Sequence, residues 1–159
     1  MQGWSLPSNS GRYEATWSVT GHSSSSVTYD FELVARTYNS GHAESSAENH
    51  HLFFSFTALV ANTEPLWSFA QELERWLTLP LSELAKTPLT AEANFGGRFD
   101  EFLVLRFGRD PNIVDEGHPV AHFQYSVAGV SGAFSYAADQ SCVGSLFAGL
   151  SETLSQLAA

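Results

Sequence analysis

The chain has 159 residues, 43% hydrophobic and 15% charged, and at this length one core can remove roughly 68–70% of the unfolded-chain surface from water, so neither a disulfide framework nor a structural metal is required. Seven Lys+Arg against 17 Asp+Glu give a net charge of −10, and Lys86 is the one lysine, which leaves little for counterion-release binding to nucleic acid and favours encounter with a basic protein. The lone Cys142 cannot form an internal bridge, the opening MQGWSLPSNSG has neither the basic n-region nor the apolar run of a signal peptide, and LFFSF and FLVL fall short of the ~20 residues that span a bilayer, so the expectation is a cytoplasmic protein without membrane contact.

Residues 1–11 are expected to be a loosely ordered N-terminal segment. Two-residue alternation then predicts a strand over Arg12–Val19, with Tyr13, Ala15, Trp17 and Val19 on one face, and another over Thr28–Arg36, with Tyr29, Phe31, Leu33 and Ala35 inward. Asn39–Asn49 has little to bury and reads as a long exposed loop. LFFSFTALV reads as a strand near the sheet centre, covered on both sides, with Phe54, Phe56, Ala58 and Val60 on one face.

The period turns helical after Asn62. Leu66, Phe69, Leu73, Trp76 and Leu77 form a stripe, Asn62 or Thr63 can cap it, Pro65 is tolerated in the first turn and Pro80 ends it. LSELAK reads as a short further turn. Alternation resumes with Leu89, Ala91, Ala93 and Phe95, followed by a Gly96-Gly97 turn and a strand at Phe102–Phe107. GRDPN begins an acidic loop running to Glu116-Gly117. His118–Val127 places Phe123, Tyr125 and Val127 inward, Gly129 and Gly132 bracket a connection, and Phe134 and Tyr136 form a short last strand. Asp139 can cap a final helix striped with Val143, Leu146, Phe147, Leu150, Leu154 and Leu157.

The order βββαββββα predicts one α+β domain over residues 1–159, a mostly antiparallel sheet of about seven strands with two helices packed on it and no internal repeat. Its expected core contains Phe54, Phe56, Phe69, Leu73, Leu105, Phe123, Tyr125, Phe134, Phe147 and Leu150.

The chemistry-bearing residues form no recognisable constellation. His118 and His122 are four apart on a strand, about 13 Å, too far for one metal, and adjacent His50 and His51 point to opposite faces. Cys142 sits near a helix N-terminus, where the dipole lowers a thiol pKa, but a buried structural role is the simpler reading. There is no GxSxG elbow, no phosphate-cradling glycine loop and no HExxH or CxxC, so no catalytic, cofactor or metal residue is assigned. The candidate partner-binding residues are Asp110, Asp115 and Glu116 in one acidic loop, Glu44 and Glu48 in another, and Trp67, which lies off the centre of its helix stripe. The alternative is a small hydrolase-like enzyme with a composite pocket that brings His50, His118 and His122 to a carboxylate.

One arrangement is familiar. A Phe-rich strand (LFFSFTALV) enters a helix at LWSFAQELERWL; an alternating strand precedes FLVLRFG; GHPVAHFQYSV follows; an aromatic strand reaches the last helix through AADQSCVGSL, with Asp139-Gln140 at the junction. Over roughly Phe31–Leu157 this resembles the WapI-type immunity proteins of bacteria. The Asn39–Asn49 loop and the histidine-bearing strand depart from that pattern. The resemblance implies a binding protein without catalysis or cofactor that neutralises a toxin, and the acidic charge fits a basic toxin domain as partner.

Overall fold

The computed structural model describes residues 2–37, 49–84, 86–96, 101–108 and 118–158, with backbone alone at 36–37 and 49–54. Strands β1 (Gly3–Pro7), β2 (Tyr13–His22), β3 (Ser26–Thr37) and β4 (Asn49–Asn62) form an antiparallel sheet in that order. Helix α1 (Thr63–Leu77) and a short α2 (Leu81–Leu84) follow. Strands β5 (Glu92–Asn94), β6 (Phe102–Gly108), β7 (Val120–Val127) and β8 (Val130–Ala137) form a second antiparallel sheet, and α3 (Gln140–Leu157) ends the chain.

The fold is α+β with antiparallel strands and helices packed on them, as the alternation pattern implies. The strands described number eight, however, and divide into two four-stranded sheets instead of forming one. The added strand is β1, inside the segment read as loosely ordered. Its five residues are too few for periodicity to register, yet Trp4 and Leu6 are buried and pair with Trp17 and Ala15 of β2.

Each sheet has one apolar face, and the two faces bury each other. Trp17 of β2 lies 6.0 Å from Phe123 of β7 and 5.0 Å from Phe95, while Phe31 of β3 lies 6.2 Å from Phe123. The helices cross over. Helix α1 follows the first sheet but packs on α3 and on β5, whereas α3 follows the second sheet but lies along β1, where Thr153 Oγ1 donates to the Gly3 carbonyl at 3.1 Å. A four-strand-plus-helix order therefore occurs twice in the topology, with each helix covering the first strand of the other sheet. The sequence carries no repeat that announces it.

Strand β4 differs most from its sequence reading. It is an edge strand among the described residues, paired with β3 alone. Tyr29 faces Leu59 but Phe31 faces Phe56, so β4 has one residue more than β3 between those pairs, a bulge at which Ala58 takes φ +58° and donates its N–H to Asp30 Oδ1 at 3.0 Å. The extra residue reverses the phase. Leu59 and Ala61 turn inward and Ala58 is exposed, so Ala58 and Val60 do not continue the face of Phe56.

Helix α1 buries Leu66, Phe69, Ala70, Leu73 and Trp76, and the Trp76 indole donates to the Thr87 carbonyl at 2.9 Å. Helix α3 starts at Asp139, whose carboxylate accepts the Cys142 N–H at 3.0 Å and the Ser141 hydroxyl at 2.7 Å. Of the expected core, Phe69, Leu73, Leu105, Phe123 and Leu150 are buried, and Phe56, Tyr125, Phe134 and Phe147 are half-buried against it. The side chain of Phe54 lies outside the described residues. No helix described is long and apolar enough to cross a membrane.

Candidate functional site

The site begins with a turn. Ala128 and Gly129 have φ +54° and +82°, the two positive values of a type I′ turn, which joins β7 to β8 with two residues. Strand β8 therefore starts at Val130, and Gly132 lies within it rather than in a connection. Gly132 pairs with Tyr125, and a Cβ at that position would fall 2.4 Å from the Tyr125 hydroxyl oxygen. Glycine is what lets the Tyr125 ring lie across β8.

Beside that ring, Phe134 and Tyr136 alternate on the inner face of β8. Tyr13, at the start of β2, stacks on Tyr136 with centroids 6.1 Å apart and planes at 17°. Together with Leu33 and the Ala133 and Ser135 segments, these rings bound a cleft of about 400 Å³ that opens along β8. The Arg12 guanidinium lies 5.9 Å from the Tyr13 ring centroid. At the base, the Tyr136 hydroxyl donates to the Leu6 carbonyl at 2.6 Å. Burial, with smaller contributions from Cys142 and Glu14, raises the Tyr136 pKa well above the phenolic range, so the hydroxyl stays a donor.

On the outer face of the second sheet, register aligns Glu92, Arg106, His122 and Ser135 in one row across four strands. His122 Nδ1 lies 2.8 Å from Ser135 Oγ. That is within nucleophile–base reach, but no carboxylate stands beside His122 in the row to orient its ring, the register neighbour on the other side being Arg106. The row also faces outward, where water is not excluded.

Of the residues singled out from the sequence, those that are described do not share one site. Asp110, Asp115, Glu116, Glu44 and Glu48 lie outside the described residues. Trp67 is half-buried against the core. His118 is exposed ahead of β7, His122 is on the outer sheet face, and the His50 side chain is outside the described residues. Cys142 is buried, and desolvation, with the Asp139 carboxylate beside it, raises its pKa to about 11, the opposite of an activated thiol. Among the described residues no group of three or more His, Cys, Asp or Glu could hold a metal. The cleft residues Tyr13, Tyr125, Phe134 and Tyr136 were legible in the sequence only as inward strand positions.

No protein-family model and no curated protein matches the chain. A solved structure titled "Structure of the plant transcriptional regulator PBF-2" is similar at a TM-score of 0.42 and 11% identity, over 98% of this chain and 81% of that one.

Proposed function

We propose that this chain is a protein-binding domain for a basic partner and acts as an immunity protein that neutralises a bacterial toxin in the cytoplasm. The observation that carries the reading is an open aromatic cleft on a chain of net charge −10. Rigid aromatic rings supply contact area at small entropic cost and dominate binding energy where they are desolvated, while net negative charge accelerates encounter with a cationic surface. The toxin assignment rests on the resemblance of Phe31–Leu157 to WapI-type immunity proteins. It requires a neighbouring gene for a large secreted protein with a toxic C-terminal domain.

The test is co-expression of that C-terminal domain with this chain in a bacterial host. Restored growth together with a 1:1 complex on gel filtration supports the reading. Unrelieved toxicity with no complex, or the absence of such a neighbouring gene, overturns the toxin assignment.

A further inference from the structure

The edges of the two sheets are not equivalent. The β1 edge is covered by α3 and the β5 edge by α1. Strand β4 carries two register shifts against β3 and a left-handed Ala58, which break the flatness that strand pairing needs. Among the described residues, strand β8 has none of these protections. Its register with β7 is unbroken from Val120–Ala137 to Val127–Val130, and VSGAFSYA contains neither charge nor proline.

The direction of the β8 main chain follows from its turn. A two-residue type I′ hairpin makes Val127 and Val130 a hydrogen-bonded pair, and antiparallel pairs alternate. Gly132, Phe134 and Tyr136 therefore direct their N–H and C=O groups at β7. Ser131, Ala133, Ser135 and Ala137 direct theirs away. The Ala137 carbonyl confirms the phase, because it accepts the Asn9 N–H at 2.9 Å from outside the hairpin. Among the described residues no strand continues that pairing to Ser131, Ala133 and Ser135. Ala133 and Ser135 are also the β8 residues that border the cleft between its rings.

We propose that the β8 edge, unpaired among the described residues, is a strand-addition site, where an extended segment of a basic partner protein pairs with Ser131, Ala133 and Ser135 and sets alternate side chains into the aromatic cleft. The proposal rests on the protein-binding reading above and specifies the form of the contact. A second copy of this chain is disfavoured as occupant, because edge-to-edge pairing would bring two bodies of charge −10 together. A cationic segment gains from the same field. In an added strand every second side chain faces Tyr13, Phe134 and Tyr136 and should be apolar, and those between face water and should be Lys or Arg.

The experiment selects binders to the full chain from a phage-displayed library of random peptides of about nine residues, then follows amide hydrogen exchange by NMR with a selected peptide bound. Alternating apolar and basic residues should be enriched. Exchange at Ala133 and Ser135 should be fast in the free chain and slow at least about tenfold on binding, while Gly132 and Phe134, already paired with β7, change little. Ser135→Pro removes an outward N–H and no ladder bond, and should weaken binding at least about tenfold where Ser135→Ala does not. If that variant fails to fold, Ala133→Pro tests the same point, and the exchange measurement needs no variant. Slow exchange at Ala133 and Ser135 in the free chain, no cationic enrichment, or binding without protection of these amides overturns the proposal. A toxin-domain complex that leaves both amides unprotected overturns strand addition while sparing the protein-binding reading. Peptides that protect them while the toxin domain forms no complex support strand addition and reject the toxin assignment.

Discussion

The Tyr136 hydroxyl donates to the main-chain carbonyl of Leu6, joining the last strand of the second sheet to the first strand of the first sheet. A counterpart runs the other way, where the Tyr29 hydroxyl on β3 donates to the carbonyl of Phe95, just past β5. Each sheet thus sends one phenol to the start of the other. The helices repeat this exchange, since α1 covers β5 and α3 covers β1. Neither four-strand unit completes its own core, so the two are expected to fold as one cooperative body.

The first prediction follows from the Tyr136 bond. Tyr136→Phe keeps the ring stacked on Tyr13 and removes one donor from a buried carbonyl, which should destabilise the protein by about 1 kcal/mol in urea titration. Tyr29→Phe should act similarly, and a single unfolding transition should persist in both variants. Separate transitions for the two sheets would contradict the exchanged architecture.

Acid sensitivity is expected at Asp139. The Ser141 hydroxyl and the Cys142 N–H hold its carboxyl below the usual carboxylate range in the folded chain. Its folded pKa is thus depressed relative to about 3.9 in the unfolded chain, so the cap's contribution is fully present above that value and is lost as pH falls through the folded pKa. Asp139→Ala should cost about 1 kcal/mol at neutral pH. Denaturation followed from pH 7 to strong acid should show Asp139→Asn, which keeps an acceptor oxygen without a titrating group, losing less stability than wild type.

The β7–β8 turn leaves stability to be gained. Ala128 holds φ +54° with a Cβ that disfavours it, and Asn accepts this conformation more readily. Ala128→Asn creates the Asn-Gly pair favoured in type I′ turns and should raise stability by roughly 0.5–1 kcal/mol. A lower melting temperature in calorimetry would argue against the turn assignment.

Cys142 should resist modification. Its thiol is buried and its pKa is raised to about 11, so an aromatic disulfide reagent at pH 8 should label it only as fast as the chain unfolds. Rapid labelling of the folded chain would show an accessible thiolate.

Alternation and helical stripes carried much of the fold because their signals are local. Leu89, Ala91, Ala93 and Phe95 stay in phase and are all buried, and Asp139 caps α3 as its position before an apolar stripe implies. Three features depend on nonlocal information. Strand β1 gains its identity from pairing with β2, the Ala58 bulge from the Asp30 side chain, and the split into two sheets from which faces bury each other. The cleft was hidden for the same reason: Tyr13 and Tyr136 are 123 positions apart, and a half-buried tyrosine in a strand has the same pattern as a buried one. The uncharged run VSGAFSYA, unusual for an edge strand, was the signal that could have drawn attention to it.

The protein-binding proposal makes the aromatic cleft of this acidic chain a contact surface for a basic protein. The test is the affinity, for wild type and for Tyr13→Ser, of the toxic C-terminal domain that the immunity proposal requires, measured by calorimetry at about 0.05 M and 0.5 M salt, with melting curves to verify folding. Loss of a desolvated aromatic anchor should weaken binding about 30-fold at either salt, and higher salt should weaken wild-type binding as well. Unchanged affinity for a folded Tyr13→Ser, with no effect of salt on wild type, would contradict the claim.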